Sequence, residues 1–162
     1  MGLDMWLKAK VYVGGRHSNI NSGCIEFEHK YSTEGKIRLP TQNLMYVEYD
    51  VGYWRKANQI HKWFVDNVQE GEDNCKQYEV TKEKLLELKK ICLDILHNKD
   101  DKEGALEVLP PRAGFFFGAT NTESEEFWQY YFEDLEDTVK ILDTALQYIE
   151  LYNADIYYDS SW

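Results

Sequence analysis

Between Leu3 and Val13 the chain alternates, with Leu3, Met5, Leu7, Ala9, Val11 and Val13 on one side and Asp4, Trp6, Lys8, Lys10 and Tyr12 on the other. A period of two sends successive side chains to opposite faces, so the pattern predicts a β-strand with one buried face. Gly14-Gly15 ends it, and Arg16-His17-Ser18-Asn19 follows as a polar loop. A glycine pair can aim backbone N–H groups at an anion. The spacing of a phosphate loop is absent, however, and a plain turn is the better reading. Cys24 to Tyr31 reads as a return strand and Thr33-Glu34-Gly35-Lys36 as a turn, while Pro40 argues against a central strand at that point. Leu44 to Val51 alternates again, Val47, Tyr49 and Val51 against Glu48 and Asp50.

At Gly52 the period changes. Tyr53, Ala57, Ile60, Phe64 and Val68 fall on one helical stripe, which predicts a helix from Tyr53 to before Gly71 with those residues in the core. Trp54, Asn58, His61 and Val65 form the adjacent face, and Arg55, Gln59, Lys62 and Asp66 point to solvent. Glu70 to Lys76 is a polar connection. Thr81 is a good N-cap for a helix running to about Asn98, with Leu85, Leu88, Cys92 and Ile95 inward and Leu86, Ile91 and Leu96 widening that face. Asn98 to Gly104 is charged and turn-rich, and Pro110-Pro111 stops any short helix before it.

Gly114-Phe115-Phe116-Phe117-Gly118 is too short for a helix and is predicted as a strand whose three Phe cannot all share one face. Thr122 with Glu125 has the spacing of a capping box. The helix it opens should run from about Glu123 to Tyr152, with Phe127, Tyr131, Leu135, Thr138, Leu142, Ala145 and Ile149 inward. Residues 155–162 read as a short edge strand or a tail. The expected architecture is α+β, a single domain over residues 1–162, with a small antiparallel sheet against about three helices, the last one long.

Composition narrows what such a domain does. Hydrophobic residues make up 43% and aromatics 15% of the 162 residues, enough for a core despite a formal charge of −11. That charge disfavours direct binding to nucleic acid or an anionic membrane, which need a basic face. No run approaches the length of a membrane-spanning helix, and the N-terminus has no signal-peptide pattern. Cys24, Cys75 and Cys92 are odd in number and lack zinc spacing, which fits a reducing compartment. No motif for acyl transfer, zinc hydrolysis, calcium or a dinucleotide occurs. No catalytic residue, metal ligand or cofactor is therefore assigned. Glu133 and Glu136 could share a helix face, but a solvated acidic face is the simpler reading.

The stretch from Trp54 to Lys62 carries the most recognition chemistry. Trp54 can stack, Arg55 and Lys62 bring charge, and Asn58 and His61 hydrogen-bond, a set that can hold a nucleotide-like ligand. The plain alternative is that Trp54 and His61 cap the core edge while the cations solvate the helix. Phe116 and Thr120, from the glycine-bounded segment, complete the candidate ligand set: Trp54, Arg55, Asn58, His61, Lys62, Phe116 and Thr120.

The opening Met1-Gly2-Leu3-Asp4-Met5-Trp6-Leu7, the central block from Gly52 to Val65, Gly114 to Gly118, and Tyr131 to Thr138 together resemble a family of small bacteriophage and prophage proteins, in matching order over most of the chain. Trp6 stands where many relatives are expected to carry Tyr. The resemblance brings no mechanism with it. It implies a counter-defence role in the host cytoplasm, such as a non-enzymatic sponge for a nucleotide-derived immune signal. Two other readings stay open, an acidic inhibitor that binds a host defence protein and a hydrolase of a nucleotide signal using His61 and a carboxylate. Homo-oligomerisation is also open.

Overall fold

The alternation at the N-terminus becomes the spine of a four-stranded antiparallel sheet. In the computed structural model, which describes residues 2–12, 24–28, 36–40, 44–115 and 117–162, β1 (Asp4–Tyr12) pairs on one side with β4 (Tyr46–Arg55) and on the other with β6 (Asp155–Ser161), and β5 (Tyr78–Glu79) adds to β6. Leu3, Met5, Leu7 and Ala9 are fully buried, as the period of two requires. β2 (Cys24–Glu28) and β3 (Lys36–Pro40) form a separate two-stranded antiparallel ribbon, so the return strand pairs with β3 and not with β1. Pro40 ends β3, opposite Cys24. The Gly14-Gly15 turn, the predicted turn up to Gly35 and Phe116 lie outside the described residues.

Among the described residues four helices complete the α+β fold: α1 (Asn58–Asn67), α2 (Lys82–His97), α3 (Lys102–Val108) and α4 (Glu125–Tyr152). Among the described residues no helix is long and apolar enough to cross a membrane. The predicted stripes of α2 and α4 pack as read, burying Leu85, Leu88, Cys92 and Ile95 on one and Phe127 to Ala145 on the other. Thr81 caps α2 by accepting from Lys84 N–H, and Asp101 caps α3 by accepting from Gly104 N–H. α4 starts at a different cap from the one predicted. Ser124 is its N-cap and no side chain closes it, while the Thr122 carbonyl accepts from the Trp128 indole. It ends at Asn153, whose left-handed φ of 49° lets its N–H return to the last turn. That sharp stop sends the chain straight into β6, an interior strand where an edge strand or tail was expected.

The largest departure from the sequence reading lies at Gly52. The glycine does not break the strand. β4 runs on to Arg55, with Val51 as the extra residue of a bulge opposite Leu7 and Lys8. A Cβ at Gly52 would fall inside the Ile141 side chain of α4, 3.1 Å from its Cβ and Cγ1, so the glycine is where α4 crosses the sheet. Tyr53, Trp54 and Arg55 are therefore strand residues. Tyr53 is 50% exposed, not core, and hydrogen-bonds Asp4. Trp54 faces inward and donates to Thr138 of α4 at 2.9 Å. Gln59, expected at the surface, is 3% exposed, because α1 begins at Asn58 and its phase is set by packing against α4.

Candidate functional site

Three residues turn β4 into α1. Lys56 takes a left-handed φ of 61°, which a non-glycine residue adopts at some cost. Ala57, at φ −72° and ψ 71°, closes an inverse γ-turn in which Asn58 N–H donates to Lys56 O at 2.8 Å. Lys56 N–H is tied back to Leu3 O at 2.8 Å. The junction thus exposes Arg55 and Lys56 while burying Asn58 and Gln59.

Asn58 joins this junction to the phenylalanine segment. Its Nδ2 donates to Phe117 O and Ala119 O, each at 3.1 Å, and its Oδ1 accepts from Arg112 N–H at 3.0 Å. Gly118, at φ +101°, passes so close that a Cβ there would sit 3.1 Å from Lys56 Cβ. Gly114, Phe115, Phe117 and Gly118 are consequently not strand residues. Phe117 N–H turns back to Gly114 O, Phe117 is buried and Phe115 is 95% exposed.

The two stretches converge on one hollow of about 470 Å³. Arg55, Lys56, Asn58 and Gln59 line one side and Gly118 and Ala119 another; Phe127, Tyr130, Tyr131 and Asp134 of α4 form the wall opposite. Phe127, Tyr131 and Gln59 are buried, whereas Arg55, Lys56 and Tyr130 are exposed, which places the cations and one ring at the mouth. Among the described residues neither Arg55 nor Lys56 has an ion-pair partner, unlike Lys8, paired with Asp159, or Lys89, paired with Asp143.

Gln59 Nε2 donates to Asp134 Oδ2 at 3.0 Å. Burial pushes the Asp134 carboxyl up to about 6; the Gln59 hydrogen bond opposes this, and the nearby Asp137 and Glu133 charges add to it. Above that pH the fold holds a poorly solvated carboxylate. The carboxyl therefore favours folding below its unfolded value near 4, an advantage lost as pH rises through about 6. Asp134→Asn, which keeps an acceptor for Gln59, is expected to stabilise the protein above pH about 7, by on the order of 2–3 kcal/mol, and to bring no gain near pH 4. Urea unfolding at the two pH values checks this.

The other predicted residues go elsewhere. Trp54 is a core residue and does not line the hollow. Lys62 pairs with Asp66 and borders a smaller hollow of about 210 Å³ beside Trp63 and Glu107. Thr120 is exposed and outside the lining, and Phe116 lies outside the described residues. His61 is fully buried behind the site. Its Nε2 lies 3.1 Å from Asp73 Oδ2 and its Nδ1 2.8 Å from the Tyr158 hydroxyl. A carboxylate only accepts, so the ring proton is on Nε2 and Nδ1 accepts from Tyr158.

Asp73 also receives Arg112 at 3.1 Å and the Trp162 indole at 2.9 Å, so this cluster ties α1, the 112–118 segment and the C-terminus together. Burial holds the His61 pKa below its ordinary 6.5, against the Asp73 hydrogen bond that raises it. The neutral ring favours folding above the unfolded pKa, and that stability is lost as pH falls below about 6.5. Asp134 titrates in the opposite sense, so the loss is expected most clearly in Asp134→Asn. Unfolding free energies of that variant that are equal near pH 7.5 and pH 5.5 would refute it.

Gln59, Asp134 and the aromatic wall were not singled out from sequence. A signal for Asp134 did exist. Phe127, Tyr131, Asp134 and Thr138 follow the i, i+4, i+7, i+11 spacing of the buried face, so an acid stood on the apolar stripe. No family model, curated protein or solved structure matches the chain.

Proposed function

We propose that this chain is a non-enzymatic binding protein that sequesters a nucleotide-derived small molecule in the hollow between α1 and α4. The observation that carries the reading is one concave site joining Arg55 and Lys56, two cations with no ion-pair partner among the described residues, to the rings of Phe127, Tyr130 and Tyr131 and the Gln59–Asp134 pair. Its volume falls in the lower part of the range for small-molecule sites, roughly 300–1,000 Å³, and suits a single nucleotide unit. Rings stack on a base, exposed cations meet phosphate, and buried polar groups fix orientation. Against turnover, His61 has both ring nitrogens engaged and does not line the hollow. The resemblance to phage proteins supports a counter-defence role in which the ligand is a host immune signal.

Calorimetric titration with mononucleotides, cyclic di- and trinucleotides and ADP-ribose derivatives tests this. Binding of at least one, its weakening by Arg55→Glu or Tyr130→Ala, and recovery of the ligand intact after denaturation are the expected results. Binding of none of them, or release of a cleaved product, overturns the reading.

A second reading rests on β4, an edge strand among the described residues, which carries the exposed Tyr46, Tyr49 and Tyr53 beside Glu48 and Asp50. With a charge of −11, that edge would suit a basic host protein. Capture of such a partner from host lysate in a salt-sensitive manner, abolished by substitutions in β4 and accompanied by no small ligand, would favour it.

A further inference from the structure

The free polar atoms of the hollow point to one kind of ligand edge. An ionised Asp134 can only accept, so Gln59 must turn its Nε2 towards it, as the 3.0 Å contact with Oδ2 shows. That orientation leaves Gln59 Oε1 and Asp134 Oδ1, both belonging to lining residues, with no hydrogen-bond partner among the described residues. Two acceptors on lining residues, one on each side of the Nε2–Oδ2 contact, are therefore left for the donors of a ligand.

From this pairing we infer that the base recognised is guanine, held by its N1–H and N2–H donors against Asp134 and Gln59; the inference rests on the nucleotide-binding reading above. Guanine alone among the common bases presents two adjacent donors on its Watson–Crick edge. Adenine offers a donor beside an acceptor, and its N1 would meet an oxygen lone pair. A guanidinium or a polyamine would also satisfy two acceptors. The exposed Arg55 and Lys56 at the mouth repel such a cation and attract the phosphate that a guanine nucleotide carries. The α4 residues that would take part share one face: Asp134 lies four residues after Tyr130, three after Tyr131 and seven after Phe127. A base stacked on these rings thus brings its edge to the carboxylate.

The experiment is a calorimetric comparison of GMP, IMP, XMP and AMP on the full chain, near pH 7.5. GMP is expected to bind about tenfold or more tightly than IMP, which lacks the exocyclic amine, and than AMP. Asn at position 134 offers an amide donor to the base, so Asp134→Asn should weaken GMP and strengthen XMP, whose second carbonyl accepts. That reversal is a gain of binding, which a misfolded variant could not produce. AMP or IMP binding as well as GMP overturns the guanine inference while leaving the nucleotide pocket in place. An unchanged GMP:XMP ratio in Asp134→Asn does the same. Failure of every nucleotide to bind, including the cyclic and ADP-ribose forms, overturns both.

Discussion

Tyr158→Ala is expected to cost about 3–5 kcal/mol of unfolding free energy, the range for removing a buried aromatic side chain. Tyr158 is fully buried in the interior strand β6, paired with Leu7 of β1 and Tyr78 of β5. Its ring stacks on Phe64 of α1 with centroids 4.0 Å apart and planes within 9°, and its hydroxyl donates to His61. The substitution would leave a cavity between sheet and helix and an imidazole nitrogen with no donor. Tyr158→Phe keeps the ring and removes only the hydroxyl, so about 1–2 kcal/mol is expected. Urea denaturation of the three proteins separates the terms. A Tyr158→Ala loss below about 1 kcal/mol would show that the stacked layer does not anchor α1 to the sheet.

Gly52→Val is expected to destabilise by about 3 kcal/mol and Gly52→Ala by about 1–3 kcal/mol, as overpacking does. The added Cβ would occupy space held by Ile141 Cγ2, and Ile141 sits in the middle of a 28-residue helix packed on both β1 and β4. Relief then requires moving α4, along with Trp54–Thr138 and the hollow wall. Ile141→Ala in the Gly52→Ala background should restore part of the loss, giving a favourable coupling of about 0.5–2 kcal/mol in a double-mutant cycle. Additive losses would mean that the glycine is required for the bulge and not for the helix crossing.

The elements legible in the sequence are those in which one face is buried along its whole length. The alternation of β1 and the stripes of α2 and α4 follow from periodicity, because burial imposes the period directly on the residue order. Gly52 misled for a related reason. Tyr53 happens to stand four residues before Ala57, so a helical stripe could be extended backwards over three strand residues. Nothing local distinguishes a glycine that ends a strand from one that makes room for a helix 89 residues later in the chain. The phenylalanine segment was misread likewise, since its course depends on Asn58 holding the Phe117 and Ala119 carbonyls.

The sequence left open whether the Trp54–His61 face and the Gly114–Gly118 segment share one pocket; the two stretches meet at the hollow through Arg55, Asn58 and Gly118, with Asn58 as the clip. Trp54 and His61, the most conspicuous residues of the stretch, are structural, because a large ring contributes most where it is buried and saturated with partners. What lines the hollow instead includes Arg55 and Lys56, which have no ion-pair partner among the described residues, with Tyr130, Gln59 and Asp134.

By itself the sequence determined the α+β class, the N-terminal strand, the cap of α2, the inward faces of α2 and α4, and an acidic charge. These depend on local periodicity and composition, which act within a turn or two of chain. Only the tertiary structure decided where β4 ends and that β6 lies inside the sheet. It also decided that a carboxylate on the buried stripe of α4 meets a glutamine 75 residues earlier at the wall of a hollow. Those outcomes come from contacts between distant segments, where the space left by one element sets the role of a residue in another.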